Sequence, residues 1–572
     1  MFQRPSLAIV IAFSTIPVVA APAPKEPPPA FAWPMFGGTP SRNMVNLRDT
    51  LTPYPHAGPD WHSDQAGSER WLAEWVLWKA DLGSRTHGSP VIADGRVYIS
   101  TNNDRPRNPR DTRRGNPTDK GVLMCFDQKT GRFLWQAVHD KLLGRVNDES
   151  GIGVTSTPTV VGNRVYYVSN QCRVVCADVN GFVDGNQGIQ NEQYHDPTDA
   201  DIIWEYDMVR ELNVFPHAMS NGCPLIVGDK LFVTTSNGVN AGHVKVPSPN
   251  APSLICLGRS TGQLLWSDNS PGKDIMHGQW SSPSYAAEPV PQVIHGQGDG
   301  WLRAFDPATG KLLWKFDGNR KGAKHELGGT GEKSDFNAAP VVHNGRVYIG
   351  TGQDPEHSTG LAHLWCIDLK RAVELGAKAP DRDVSTDLLV RVEKQPNGEE
   401  KAVTKPNPSS ALAWVLGGEE RRKWARRDFK FGRTMSTVAV VDDIVYAAEL
   451  AGHVHCLNAH TGESYWQYDT MASIWASPYY VDGKVLVATD AGDLFVFRHD
   501  PKPTKFDGLG AAHDAPDLKA ARKIIKATQA EIEKKYLLAK IEFPMPFRTT
   551  PTVVNGVLYV ATETTLYAIG KK

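Results

Sequence analysis

Histidines, acidic residues and one tryptophan recur in the polar segments that separate the apolar runs of this 572-residue chain. Imidazole, carboxylate and indole groups are the side chains with which small-molecule pockets orient a ligand. These residues predict one candidate pocket, whose members are His217, His243, His277, Trp280, Asp354, Glu356 and His357. Their spacing matches no known ligand motif, so ordinary loop polar groups or hydrogen-bonded structural histidines are the alternative interpretation.

A second stretch collects oxygen ligands that could hold Ca²⁺, namely Asp178, Asn180 and Asp184. The spacing differs from that of an EF-hand, and Asx-turn chemistry explains the same residues. No catalytic residue is predicted, because the chain lacks a phosphate loop, a His-Glu-x-x-His zinc motif and a Gly-x-Ser-x-Gly elbow. No Cys-x-x-Cys-His sequence indicates an attached haem.

A repeated strand–turn–strand unit indicates the elements that must position these residues. In residues 304–314, Asp306 can cap the turn, Gly310 can supply the positive φ, and Trp314 follows the glycine by four positions. The same spacing joins Gly131 to Trp135, Gly262 to Trp266 and Gly462 to Trp466. We expect outer-strand tryptophans to pack on the neighbouring repeat: Trp78, Trp135, Trp204, Trp266, Trp314, Trp414 and Trp466.

Eight such units follow one another, each opening with a small residue and usually a proline before an apolar strand. The eighth unit ends one strand short at Gly570, and residues 75–79 resemble the missing strand. This pattern predicts an all-β, eight-bladed β-propeller of four-stranded antiparallel blades, closed by the N-terminal strand. Residues 33–572 would form this single domain.

The strand order assigns the connecting loops to two faces of the propeller. The candidate pocket residues fall in loops of one face, which commonly surrounds the channel mouth. Three polar insertions, residues 178–202, 370–410 and 500–534, fall between third and fourth strands on the other face. A helix is predicted over residues 517–536. Its apolar stripe, expected to pack on the propeller or alternatively to dock a partner, is Leu518, Ala521, Ile525, Thr528 and Ile532.

The repeat resembles that of pyrroloquinoline quinone (PQQ) quinoprotein dehydrogenases and of the outer-membrane assembly protein BamB. The matching positions of the tryptophan-docking motif are Ala304, Asp306, Gly310, Lys311 and Trp314. The resemblance extends from Trp33 to Gly570 and implies the propeller fold. It leaves open both a PQQ- and Ca²⁺-dependent oxidoreductase and a non-catalytic scaffold. The adjacent cysteine pair that alcohol-oxidising quinoproteins commonly place beside the quinone is missing from this sequence.

The N-terminus has the pattern of a secretory signal peptide over residues 1–20. Arg4 forms the basic region, and residues 7–20 are apolar but too few to span a bilayer comfortably. An uncleaved membrane anchor is the alternative. Residues 21–32 form an Ala/Pro-rich linker. We therefore expect export to the periplasm or cell envelope without a lipid anchor, since no cysteine follows the apolar run.

Seven cysteines would ordinarily suggest disulfides in an exported chain. Five of them occupy the repeat position of Ala304, which favours a small buried side chain, and equivalent positions on different blades cannot pair. We expect free buried thiols at Cys125, Cys176, Cys256, Cys366 and Cys456. The pattern makes no prediction for Cys172 and Cys223.

A net charge of −1 gives the whole chain no bias towards nucleic acid or an anionic membrane. The favoured hypothesis is a monomeric, non-catalytic, BamB-like scaffold that binds a protein or a cell-envelope component. The alternatives are a PQQ- and Ca²⁺-dependent oxidoreductase and a propeller that binds a small molecule or sugar.

Overall fold

The computed structural model describes residues 32–51, 65–142, 147–328, 331–354, 356, 362–396, 400–418 and 430–572. The signal peptide and nearly all of the linker lie outside these ranges. Within the described ranges, every helix is too short or too polar to cross a membrane.

Eight four-stranded antiparallel blades form the body of the protein, which confirms the predicted fold class. Blade 1 contains Val91–Ala93, Arg96–Asn102, Lys120–Asp127 and Phe133–Asp140; blade 2 contains Thr159–Val161, Arg164–Val168, Arg173–Asp178 and Ile202–Asp207; blade 3 contains Leu225–Val227, Lys230–Thr234, Leu254–Gly258 and Leu264–Asp268; blade 4 contains Ser284–Ala286, Gln292–Gly296, Trp301–Phe305 and Leu312–Asp317. Blade 5 contains Val341–His343, Arg346–Gly350, His363–Asp368 and Leu412–Gly417; blade 6 contains Ala439–Val441, Ile444–Ala448, His453–Asn458 and Ser464–Asp469; blade 7 contains Tyr479–Val481, Lys484–Ala488, Asp493–Arg498 and Leu537–Glu542.

Blade 8 is completed by the N-terminal strand, as predicted. Its first three strands are Thr552–Val554, Val557–Ala561 and Thr565–Ile569, and its outermost strand is Val76–Asp81. Because the first and last parts of the described chain share one blade, the ring has no open edge at its closure.

Several outer-strand tryptophans donate to the next blade, whereas Trp314 donates to Gln292 of its own blade. Trp266 of blade 3 donates from Nε1 to the Pro307 carbonyl of blade 4 over 3.1 Å. An added Cβ on Gly310 would lie 2.7 Å from the Trp266 ring, so this turn needs glycine both for contact and for its φ of +70°. Trp78 and Trp414 reach the following blade in the same way.

The cysteine positions follow from the register of the outer strands. Cys125 pairs with Trp135, as Ala304 pairs with Trp314, and a β-bulge follows each pair. A small side chain at this position leaves room for the indole on the neighbouring strand. All seven cysteines are free and buried, as expected for the five in the repeat. Cys172 and Cys223, for which the sequence made no prediction, are also free thiols.

Three insertions lie between the third and fourth strands of blades 2, 5 and 7, and five helices accompany the blades in the part of the chain that the structure describes. The helices are α1 Gln65–Trp75, α2 Met208–Leu212, α3 Leu369–Gly376, α4 Gly508–His513 and α5 Leu518–Tyr536. Short 3₁₀ turns span Pro109–Asp111, Gly181–Asp184 and Gly272–Asp274, and small hairpins pair Thr112–Arg113 with Asn116–Pro117 and Asp387–Lys394 with Glu400–Pro406.

Only part of the stripe on α5 packs as expected. Ala521 and Ile532 are buried, but Leu518 and Ile525 are 41% and 36% exposed. The N-terminal half of α5 packs on α4, which covers Ala521 and leaves Leu518 at the surface. Tyr536, at the C-terminal end, stacks on Trp466 with ring centroids 5.4 Å apart.

The segment of residues 33–49 lies along the innermost strands of the ring, and we call it the inner strap. Its main chain bonds to Ile92 of blade 1, Val160 of blade 2, Tyr285 of blade 4, Val342 of blade 5 and Tyr480 of blade 7. Its short strand Val45–Asn46 runs parallel to Tyr479–Val481. The inner strap therefore satisfies backbone groups on the inner edges of the blades, which would otherwise face the channel unpaired.

Candidate functional site

A cavity of about 260 Å³ occupies the centre of the ring. Residues that precede the innermost strand of every blade line it, from Ser89 in blade 1 to Thr550 in blade 8. Phe36 of the inner strap also lines it. Because the inner strap bonds to the innermost strands, we interpret the cavity as a central channel floored by this segment.

Three histidines converge beside this channel. His217 precedes the first strand of blade 3, His277 precedes the first strand of blade 4, and His243 lies between the second and third strands of blade 3. The ring centroids of His217 and His277 are 4.1 Å apart, and His243 lies 4.8 Å from each. Trp280 packs against this group, with its ring centroid 5.2 Å from that of His277.

Gly238 permits this close approach. A Cβ added to Gly238 would lie 2.5 Å from the His277 carbonyl oxygen and 2.6 Å from the His217 Cβ. These distances leave no room for any side chain at this position. The adjacent Val239 amide donates to the His277 carbonyl over 3.0 Å. One loop of blade 3 thus holds the two other histidine-bearing segments together.

The orientation of His217 is fixed by a main-chain contact. Its Nδ1 lies 2.9 Å from the Val239 carbonyl oxygen, so Nδ1 carries the proton and donates it. The buried Nε2 then has its lone pair available and has no hydrogen-bond partner within the described ranges. Burial, followed by the neighbouring His277, lowers the pKa of His217 to about 4. The imidazole is therefore neutral at physiological pH, as a metal ligand must be.

Glu356 brings a carboxylate to the histidines from blade 5. Its Oε2 lies 3.1 Å from His243 Nε2 and 3.5 Å from His277 Nε2. The hydrogen bond from His277, followed by attraction to the histidine rings in their protonated forms, lowers the pKa of Glu356 to about 2 despite partial burial. Asp354 Oδ1 accepts from the Glu356 amide over 2.8 Å and lies 3.5 Å from His277 Nε2.

The structure therefore brings together six of the seven residues of the candidate pocket. One ligand atom from each of His217, His243, His277 and Glu356 lies within 4.8 Å of the others, and we call these four residues the His₃Glu cluster. Trp280 and Asp354 lie next to it. His357 is outside the described residues.

The donors of the His₃Glu cluster suit a borderline transition metal. Three imidazole nitrogens and one carboxylate match the ligands of Zn²⁺, and also those of Cu, Fe and Ni. Tetrahedral donors at about 2.1 Å from a metal lie roughly 3.4 Å apart, so small side-chain movements would close the cluster around an ion. Ca²⁺ takes about six to eight oxygen ligands, so the cluster does not fit the calcium that the resemblance to quinoproteins implies.

The oxygen-rich stretch in blade 2 has other partners. Asp178 is fully buried and paired with Arg164, and its Oδ1 accepts from the Asn180 amide over 2.8 Å. Asn180 Nδ2 donates to Asp184 over 3.1 Å. This is the geometry of an Asx turn with an ion pair.

One part of the channel wall is cationic and was not predicted from the sequence. Arg85 and His87 of blade 1 and Arg548 of blade 8 line the same cavity as Glu356 and Trp280. The Arg548 guanidinium lies 4.4 Å from the centroid of the Trp475 ring. Isolated arginines carry no spacing signal. Arg85 lies four residues before Ser89, and Arg548 lies two residues before Thr550, so their positions relative to the blade openings also differ.

Tryptophan docking, bulged outer strands and a channel lined by every blade define a β-propeller of the PQQ-repeat class. A family model described as outer membrane protein assembly factor BamB matches residues 75–141, 112–182, 190–390 and 401–501. The chain belongs to this family, and the resemblance drawn from its repeat is confirmed.

Two curated relatives carry different names. Tetrathionate hydrolase of Acidithiobacillus ferrooxidans is 23% identical over 393 residues, which cover 57% of this chain and 70% of the relative. Outer membrane protein assembly factor BamB of Moranella endobia is 18% identical over 427 residues, 73% of this chain and 88% of the relative. The solved structure of a europium-containing methanol dehydrogenase shares the fold, with a TM-score of 0.52 and 10% identity over 94% of this chain and 98% of that one. Membership therefore assigns the fold and leaves the function to the site.

Proposed function

We propose that this protein is a metal-dependent propeller that binds a small molecule at the mouth of its central channel. The observation that carries the proposal is the His₃Glu cluster, with four donor atoms from four segments and three blades within 4.8 Å. His217 and His277 are 3% and 1% exposed. Burying several imidazoles against one another is unfavourable unless they share a proton or an ion.

Glu356 gives the metal site its connection to the channel. Its side chain is 53% exposed and lines the cavity, whereas the histidines approach from the protein side. A ligand that enters the channel would therefore meet the metal next to Glu356. A bound Zn²⁺ acts as a Lewis acid that polarises a coordinated oxygen. The name of the tetrathionate hydrolase relative is consistent with a chemical role for such a site.

Metal titration of the purified protein tests this proposal. After treatment with EDTA, we expect one Zn²⁺ to bind with submicromolar affinity by calorimetry and Ca²⁺ to bind at least about 1,000-fold more weakly. The Glu356→Gln variant should weaken Zn²⁺ binding by about 10- to 100-fold, since it removes a charged ligand. Glu149→Gln is the matched control, because Glu149 is another exposed carboxylate of the same channel wall outside the cluster. Stoichiometric Ca²⁺ binding with PQQ, and no Zn²⁺ binding, would favour the quinoprotein oxidoreductase instead.

A second candidate function, binding of a protein or cell-envelope component, is favoured by the blade 5 insertion. The strand Asp387–Lys394 exposes Leu389, Val390 and Val392 at 44–49%. Adjacent exposed apolar side chains on a hairpin are typical of a protein contact. A non-catalytic scaffold of this kind would agree with the name of the BamB relative.

Cross-linking in a cell-envelope extract tests the scaffold function. A partner recovered with the wild-type protein should be lost with the Leu389→Lys, Val392→Lys double variant. Val183→Lys is the control, because Val183 is 87% exposed on the blade 2 insertion. Equal recovery by all three proteins would contradict a role for this hairpin.

We also propose that the chain is exported to the periplasm or cell envelope and acts there as a monomer. The support is the signal-like sequence of residues 1–20. Sequencing the N-terminus of protein recovered from the periplasm should give a start close to residue 21, and light scattering should give a monomer mass. An unprocessed N-terminus in the cytosolic fraction would contradict export.

A further inference from the structure

The central channel has a second charged end in addition to the His₃Glu cluster. Arg548 lies on the face of Trp475, with its guanidinium carbon 4.4 Å from the ring centroid, and its Nε lies 3.5 Å from Glu563. Arg85 lines the same wall with an exposed side chain. These two arginines form what we call the arginine pole of the channel.

The pKa of His87 reflects the positive potential at the arginine pole. Burial, followed by the charges of Arg548 and then Arg85, lowers the pKa of His87 to about 4. Its Nε2 is shielded from solvent and has no hydrogen-bond partner among the described residues. Two cations and a neutral imidazole with an unused polar atom form a set of groups that suits an anion.

The two charged ends face each other across the ring. The arginine pole belongs to blades 8 and 1, whereas the His₃Glu cluster belongs to blades 3, 4 and 5, which lie opposite in an eight-bladed ring. An aromatic side chain accompanies each end, Trp475 at one and Trp280 at the other. Between them the wall includes the apolar side chains Ile152, Met219 and Met435.

The balance of charge in the channel favours a ligand with two negative groups. Its acidic lining residues are Glu149 and Glu356. With a divalent ion bound at the cluster, the charge of the ion exceeds that of its one carboxylate, Glu356, and the two guanidinium groups at the other end exceed the charge of the neighbouring Glu563. A volume of about 260 Å³ lies below the roughly 300–1,000 Å³ of pockets for drug-sized ligands, so the ligand must be small.

We infer that the channel binds a small two-ended dianion, with one anionic group at the metal and the other at Arg548 and Arg85. The middle of this ligand is apolar and lies against Ile152, Met219 and Met435. The end at the metal rests on the proposed function, whereas the arginine end does not. Arginine pairs with a carboxylate or oxyanion through two parallel hydrogen bonds, which gives the arginine pole its selectivity for an acidic group.

Calorimetric titration with a series of dicarboxylates tests the inference. Malonate, succinate, glutarate and adipate are each titrated into zinc-loaded and EDTA-treated full-length protein, with butyrate as the one-ended probe. One length in the series should bind best to the zinc-loaded protein, at least about tenfold tighter than butyrate. No saturable binding of any dicarboxylate up to about 10 mM, or butyrate binding as tightly as the best dicarboxylate, would overturn the inference.

Variants separate the two ends. Arg548→Met should weaken binding of the best dicarboxylate by at least about tenfold in both the zinc-loaded and the EDTA-treated protein, because it removes a charged hydrogen-bond partner. Since Arg548 also contacts Glu563, Arg85→Met provides a second test at an exposed position. Arg498→Met changes an exposed arginine at the end of the third strand of blade 7, and this control should bind the dicarboxylate as tightly as the wild type does. Unchanged affinity in both Arg548→Met and Arg85→Met would overturn the inference.

These outcomes distinguish the inference from the proposed function. If zinc binds but neither arginine variant changes the affinity for the dicarboxylate, the inference fails and the proposed function stands. If zinc does not bind, the proposed function fails. In that case, dicarboxylate binding to the EDTA-treated protein that is still weakened by Arg548→Met supports an anion site at the arginine pole.

Discussion

His243 Nε2 and Glu356 Oε2 lie 3.1 Å apart, although the two residues belong to blades 3 and 5. Their loops meet because both connect a second strand to a third strand and so emerge on the same face of the ring. The contact joins the histidines of blades 3 and 4 to the only carboxylate in the cluster. The geometry of the site therefore depends on how closely the loops of neighbouring blades can approach.

Gly238 should control that approach. In Gly238→Ala the new methyl group would overlap the His277 carbonyl and the His217 Cβ, so the two segments must separate. We expect a loss of about 1–3 kcal/mol in the free energy of unfolding and at least tenfold weaker zinc binding. Gly242→Ala is the control in the same loop, since its Cβ would meet nothing closer than 3.6 Å. Calorimetry and urea denaturation of both variants measure the effect, and equal behaviour would contradict this role for Gly238.

The tryptophan-docking turn can be tested with two glycines that have nearly the same backbone. Gly310 and Gly345 have φ values of +70° and +71°, but only Gly310 has an indole, that of Trp266, within contact distance of an added Cβ. Both alanine variants incur the left-handed backbone cost of about 1–2 kcal/mol. Gly310→Ala should lose about 1–3 kcal/mol more in urea denaturation, because Trp266 must move away from the turn. Equal losses would show that the docking contact adds no stability.

Arg42 should anchor the inner strap. Its side chain is fully buried and donates to the carbonyls of Phe36, Cys223, Pro224 and Pro283 over 2.8–3.1 Å. In Arg42→Met these buried acceptors lose their donors, and we expect about 3–5 kcal/mol less stability and a lower thermal midpoint. Arg48→Met alters an exposed position of the same segment and should stay within about 0.5 kcal/mol of wild type. A wild-type midpoint for Arg42→Met would contradict the anchoring role.

The protonation of His217 gives a prediction for pH. Its folded pKa of about 4 is lower than the ordinary value near 6.5, so the unfolded chain binds a proton that the folded protein does not. The contribution of His217 to stability is therefore present above about pH 6.5 and is lost as the pH falls towards 4. In metal-free protein labelled with ¹⁵N-histidine, the His217 ring should stay neutral, with its proton on Nδ1, between pH 7 and about 5. A midpoint near 6.5 for this resonance, assigned with the His217→Asn variant, would contradict the buried geometry.

Much of the fold could be predicted because its signals are local. The spacing from Gly310 to Trp314 reflects a turn and a strand register that recur in several blades. The missing last strand pointed directly to the N-terminal strand that now pairs with Thr565–Ile569. The apolar stripe of α5 was harder to interpret, because periodicity alone does not show that α4 would cover Ala521.

The candidate site was predictable in its residues but not in its geometry. Loop order placed His217, His243 and Glu356 on one face, but their convergence depends on Gly238, whose importance appears only when the neighbouring loops are in place. The inner strap was missed because it binds mainly through its main chain, which leaves no side-chain pattern. Arg85 and Arg548 lie far apart in the sequence and become neighbours only through closure of the ring.

The most direct test of the metal site is a crystal structure of zinc-soaked protein, with anomalous scattering recorded on both sides of the zinc absorption edge. The His₃Glu cluster predicts one strong anomalous peak about 2.0–2.2 Å from a nitrogen of each histidine and from a Glu356 oxygen. A map with zinc bound only at surface histidines, and no peak between His217, His243, His277 and Glu356, would contradict the proposed function.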